Sequence, residues 1–179
     1  MFIKFLRKPK YLFNFVELLN IHNLNHPSKL KIMPKFKVIK EGVNESLIAS
    51  TQAKVEKYIQ ELFHDYEVAK VEDTYSFAFG TINVNIRVIG WHADDVLVEV
   101  YSYLAEDVNL TAEMAEELLR LNASMHFGSF GITFDRTITY SYSLAGANLD
   151  FNEFMAAVQT VATVADSYDE MFKPSTQTA

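Results

Sequence analysis

Residues 74–101, TYSFAFGTINVNIRVIGWHADDVLVEVY, hold three successive runs in which apolar and polar side chains alternate. Tyr75, Phe77 and Phe79 stand against Thr74, Ser76 and Ala78; Ile82, Val84, Ile86 and Val88 against Asn83, Asn85 and Arg87; Val96, Val98 and Val100 against Leu97, Glu99 and Tyr101. A period of two gives each strand one buried and one wet face. Gly80 and a loop at residues 90–95 separate the runs, so an antiparallel meander is predicted. In the simplest register Arg87 lies opposite Glu99 and Asn85 opposite Tyr101.

On either side of this meander the spacing becomes helical. Upstream, Val55, Ile59, Leu62 and Phe63 form one apolar stripe. They predict a helix capped by Ser50 or Thr51 and ending near residues 64–66, with Lys54, Glu56, Lys57 and Glu61 in solvent. Downstream, Thr111 is the expected cap of a second helix whose Glu113, Glu116 and Glu117 sit at the positive end of its dipole. Its apolar surface is wide: Met114, Leu118, Leu121 and Met125 make one row, and Ala115 and Leu119 an adjacent one, more than a helix on a single sheet needs. A third helix opens at a capping-box-like pair, Asp150 and Glu153, and keeps its period through Phe154, Val158, Val161, Ala165, Tyr168 and Phe172.

Between the last two helices lies a hairpin. Phe130, Ile132 and Phe134 must share the buried face with Ile138, Tyr140, Tyr142 and Leu144, leaving Thr133, Thr139, Ser141 and Ser143 outside. A two-residue turn at Asp135 and Arg136 would pair Phe134 with Thr137 and set aromatics against hydroxyls. A three-residue or longer loop through Thr137 is therefore predicted. The expected fold is α+β, an antiparallel five-stranded sheet with helices in the order α-β-β-β-α-β-β-α.

The chain has 179 residues, 49% of them apolar and 22% charged, which suits one soluble domain and excludes two large ones. No apolar stretch approaches the length of a membrane span. Without cysteine, disulfides, thiolate metal sites and a cysteine nucleophile are excluded, and a reducing, cytoplasmic location fits. The net charge of -7 hides a division: residues 1–40 carry nine Lys or Arg against Glu17, whereas residues 41–179 stand at -15. A domain so acidic repels phosphate backbones, so no nucleic-acid partner is expected. Residues 1–43 read as a basic leader, 44–173 as the domain and 174–179 as a polar tail. In the leader Leu12, Phe15, Val16 and Leu19 have the spacing of a short basic amphipathic helix, and no A-x-A-like cleavage site follows. Met33 offers an alternative start.

The segments Leu121-Asn122, Phe127-Gly128-Ser129-Phe130, Leu149-Asp150, Val161-Ala162 and Ala165-Asp166-Ser167-Tyr168-Asp169 resemble the YbjN-like family, including its cyanobacterial and chloroplast members. The resemblance covers about residues 46–173, is strongest over 118–172, and leaves the leader without a counterpart. It implies the fold of type III secretion chaperones and a non-enzymatic protein- or peptide-binding module, chaperone-like or adaptor-like. None of these motif residues is catalytic in the family. They read as packing and turn devices.

Catalytic groups are not assembled by the sequence. His22, His26, His64, His92 and His126 show no close ligand spacing, and Gly128-Ser129-Phe130-Gly131 fits neither a nucleophile elbow nor a phosphate loop. Asp94-Asp95 and Glu106-Asp107 fall in loops without the apolar setting that raises a carboxyl pKa. No catalytic residue, metal or cofactor is expected. Function is expected in a partner surface, with Trp91, Tyr101 and Tyr103 as anchors for an unidentified protein or peptide. Leu118, Leu121 and Met125 are candidate homodimer contacts, because an isologous seam would cover the excess apolar surface. Two other readings stay open: a dimeric regulatory or stress-related scaffold without a client peptide, and a small-molecule binder or enzyme built on Arg87, Glu99, Tyr101 and Trp91.

Overall fold

In the computed structural model, which describes residues 39–172, the first helix is capped by Asn44. Its side-chain oxygen accepts the Leu47 N–H at 3.1 Å, while its Nδ2 donates to the Ala93 carbonyl at 3.0 Å, so one side chain both starts α1 (Glu45–Leu62) and ties it to a strand turn. This corrects the expectation of Ser50 or Thr51; Thr51 is buried inside the helix. Lys54 is not in free solvent either. Its Nζ donates to the carbonyls of Gly146 and Ala147, a lysine stem lying along the protein while its head finds oxygen.

Six strands follow: β1 (Ala69–Val71), β2 (Thr74–Phe79), β3 (Ile82–His92), β4 (Asp95–Ala105), β5 (Ser129–Ile132) and β6 (Ile138–Ala145). They form one antiparallel sheet in the order β1-β2-β3-β4-β6-β5. The expected five strands become six because of β1. Three residues are too few to show alternation, and the turn at Glu72 and Asp73 puts Glu72 at φ 54 without the glycine or asparagine that marks such turns. Helix α2 (Ala112–Ser124) precedes β5, and α3 (Phe151–Phe172) follows β6. Both start as predicted: Thr111 Oγ1 accepts the Met114 N–H, and Asp150 and Glu153 exchange side-chain-to-backbone bonds of 2.8 and 3.2 Å.

The register puts Arg87 opposite Glu99 and Asn85 opposite Tyr101, as expected. The loop expected at residues 90–95 contracts to Ala93 and Asp94, with a bulge between Gly90 and His92 that holds Trp91. In the second hairpin Phe130 pairs with Tyr140 and Ile132 with Ile138, leaving a five-residue loop through Thr137. Three aromatic or aliphatic positions expected in the core are exposed. Phe134 stands in that loop, and Phe79 and Ile132 end their strands.

The core lies between one sheet face and two helices. Val55 and Ile59 of α1 and Phe154, Val158, Val161 and Ala165 of α3 bury Val84, Ile86, Val96, Val98 and Val100. The leader's apolar stripe, Met33 and the tail lie outside the described residues. Among those described, no helix is long and apolar enough to cross a membrane.

Candidate functional site

The motif residues of the last third are structural ties. Asn122 of α2 faces Phe130: its Oδ1 accepts the Phe130 N–H at 2.7 Å, and its Nδ2 donates to the Phe130 carbonyl at 3.0 Å. One carboxamide thus satisfies both outward backbone groups of Phe130. Gly128 has φ +70, and a Cβ there would fall 2.7 Å from the Tyr140 hydroxyl, which donates to the Phe127 carbonyl at 2.5 Å. On α3, Asp166 accepts the Thr81 N–H at 2.8 Å, and buried Asp169 accepts the Thr81 hydroxyl at 2.6 Å. A Cβ on Gly80, at φ +52, would overlap the Asp166 carboxylate.

The sheet face away from the helices carries the expected partner residues. Arg87 Nε and Nη2 both lie 2.7 Å from Glu99 Oε2, and the guanidinium sits 5.0 Å from the Tyr101 ring centroid. Partial burial works against the Arg87 cation, but its hydrogen bond and charge interaction with Glu99 outweigh it and hold the pKa above the ordinary value. Burial pushes the Tyr101 phenol up, Tyr103 adds to this and Arg87 opposes it. Tyr101 meets Tyr103 edge-on at 5.4 Å, and Tyr103 is 51% exposed. Trp91, 46% exposed, packs at a tilt against its neighbour His92, with ring centroids 4.4 Å apart. At about 3.3 Å per residue it lies roughly 17 Å along the strands from Tyr101, so the three do not form one patch. A reaction site built on Arg87, Glu99, Tyr101 and Trp91 is not assembled.

The α2 side is less open than its composition suggests. Leu118 is buried in its own chain and Leu121 and Met125 pack partly against the core, whereas Leu119 is 69% exposed. Phe127, Ile132 and Phe134, in and beside β5, are also exposed.

A further feature, which sequence reading missed, is a cleft of about 420 Å³ between the end of α1 and the β1–β2 hairpin. Ile59 and Phe63 come from the helix side, Val68 from the link that precedes β1 and Tyr75 from β2, with Glu56 and Lys70 also lining the cleft. A second cleft of about 210 Å³, lined by Gln52, Ala53 and Asp73, shares Glu56, Lys70 and Tyr75 with the first. Lys70 Nζ lies 3.4 Å from Glu56 Oε1 and 4.7 Å from the Tyr75 ring centroid. Interaction with Tyr75 is the largest cause of a Lys70 pKa above the usual value, against the effect of desolvation and with Glu56 adding. The signal was illegible because the cleft joins residues from the unrecognised strand to a helix stripe already assigned to the core. Among the described residues, no group of three or more His, Asp or Glu is placed to hold a metal.

Among solved structures, the chain is similar to one described as the ExsC–ExsE complex, with TM-score 0.54 and 14% identity over 70% of this chain and 98% of that one. It is also similar to the Yersinia pestis type III secretion chaperone SycH in complex with a stable fragment of YscM2, with TM-score 0.48 and 11% identity over 65% and 98%. At 14% identity the likeness to the first is one of fold. No curated protein matches the sequence. The family model described as T3SS (YopN, CesT) and YbjN peptide-binding chaperone 1 matches residues 49–177, nearly the whole of the domain and its three sequence ties. The chain belongs to this family, TY-Chap1.

Proposed function

We propose that the chain works in the cytoplasm as a non-enzymatic, peptide-binding chaperone or adaptor that receives an extended client segment in the cleft between α1 and the β1–β2 hairpin. One observation supports the placement: α1 packs on β3 and β4, and where its C-terminal end runs beside the β1–β2 hairpin, Ile59, Phe63, Val68 and Tyr75 line an open cleft. Beside it runs the outer edge of β1. The hairpin closes on the Val71–Thr74 pair, so the Lys70 backbone groups face away from β2. An apolar cleft next to a strand edge offers a client both side-chain pockets and backbone partners.

The exposed aromatics Trp91, Tyr101 and Tyr103 offer a second docking place on the sheet face, and one experiment separates the two. A panel of short fluorescent peptides is titrated with the wild type, with Val68→Asp, and with Tyr101→Ala combined with Tyr103→Ala. Val68→Asp should weaken capture by about tenfold or more, equivalent to about 1.4 kcal/mol, while the double variant retains it. The reverse pattern moves the site to the sheet face, and indifference of both variants overturns the placement.

We also propose a homodimer. Exposed Leu119, Phe127, Ile132 and Phe134 leave apolar surface on α2 and around β5 that a second copy would cover, with Leu121 and Met125 at its margin and Leu118 behind it. Leu119→Glu with Phe134→Glu should sediment as a folded monomer where the wild type sediments as a dimer. A monomeric wild type overturns this.

A further inference from the structure

The two clefts beside α1 meet at the same three residues, Glu56, Lys70 and Tyr75. The larger has an apolar floor of Ile59, Phe63 and Val68. The smaller is lined by the small or polar Ala53 and Gln52 and by two carboxylates, Glu56 and Asp73, against one ammonium, Lys70. That ammonium is already engaged, by Glu56 at 3.4 Å and by the Tyr75 ring. Both partners of the ion pair are about half exposed, with side-chain exposures of 48% and 45%, so the pair is weakly held and readily exchanged. Exposed Glu72 adds negative charge at the turn of the same hairpin, in a region of sequence whose balance is -15.

We infer that the two clefts are one groove crossed by the Glu56–Lys70 pair, and that its occupant is an extended client segment with an apolar side chain followed by lysine or arginine. This rests on the groove reading above and adds the chemistry of the client. The apolar side chain fills the larger cleft. The cation enters the smaller one, takes Glu56 from Lys70 and reaches Asp73, gaining two carboxylates in a setting less exposed than bulk water. An acidic client residue at the same place would meet those carboxylates and compete with them for the single Lys70.

The test uses the full chain and three fluorescein-labelled peptides of one sequence, a Leu-Phe pair followed by two Lys, two Ser or two Glu, with binding read by anisotropy. The lysine probe should bind about tenfold more tightly than the glutamate probe at low salt, and the gap should shrink as salt screens it. Glu56→Gln and Asp73→Asn should each narrow the gap, and Lys70→Met should tighten the lysine probe by freeing Glu56. If all three probes bind alike and all are lost in Val68→Asp, the groove stands and the charge preference falls. If a lysine preference survives Glu56→Gln combined with Asp73→Asn, it arises elsewhere and the inference is overturned. If no probe responds to Val68→Asp, the groove reading falls with it.

Discussion

The two edges of the sheet are treated oppositely. At β5 the outward backbone groups of Phe130 are both taken by Asn122, and the approach to the strand is pinned by the Tyr140 hydroxyl on the Phe127 carbonyl. At β1, among the described residues, no side chain bonds to the strand's backbone and all three residues are exposed; the strand is tied by side chain through the half-exposed Lys70–Glu56 pair. An open strand edge is a template for pairing with another chain, and proteins ordinarily blunt it. One edge here is blunted by a dedicated carboxamide, and the other borders an apolar cleft. The difference separates an edge closed by a side chain of its own chain from one whose outward backbone groups have no side-chain partner among the described residues.

Four substitutions would break or sharpen that contrast. Asn122→Leu strands two backbone groups of a buried residue and should lower stability by about 3 kcal/mol in urea denaturation, with increased self-association as β5 opens. A loss under about 1 kcal/mol would show that the edge is not held there. Thr81→Val takes a hydroxyl from buried Asp169 and another contact from Asp166, for an expected loss of about 2 kcal/mol, loosening the β2–β3 corner.

Tyr140→Phe should cost about 1.5 kcal/mol at neutral pH through the bond to Phe127. It also carries a pH signature. Burial, then the charge of Tyr168, raise the Tyr140 phenol above its ordinary value. The fold therefore favours the protonated form: that contribution is complete below the unfolded pKa of about 10 and is lost as pH rises through the folded value. Denaturation above pH of about 10 should show a steeper alkaline loss in the wild type than in Tyr140→Phe, and equal slopes would refute the assignment. Smallest of all, Val71→Lys on the open edge should change stability by less than about 0.5 kcal/mol, whereas a loss comparable to Asn122→Leu would mean that β1 is structural.

The legible parts of the fold are those set by neighbours in sequence. Asp150 and Glu153 specify a helix start within four residues, and alternation in β3 and β4 forces Arg87 opposite Glu99, because a one-residue slip would turn every valine outward. The Asn44 cap, whose bond to the Leu47 N–H is local, lies more than one turn ahead of the apolar stripe that begins at Val55, so the stripe alone does not locate it. Phe134 was read inward because alternation cannot say where a strand stops. At the candidate site, the exposure of Trp91 and Tyr103 followed from the pattern, but the groove did not. Ile59, Val68 and Tyr75 meet only because β1 folds back on a left-handed glutamate, for which the local sequence carries no turn signal.

The Thr81 corner has a consequence for biosynthesis. Its carboxylate partners stand 85 and 88 residues further along the chain, on the last described helix. At about 5–20 residues per second, a ribosome that has made the β2–β3 turn needs roughly 4 to 17 s more to deliver Asp166. Through that interval the nascent hairpin, with Tyr75, Phe77, Val84 and Ile86 awaiting α3, exists without its fastening. Until α3 emerges, that hairpin presents its apolar face without the helix that buries it.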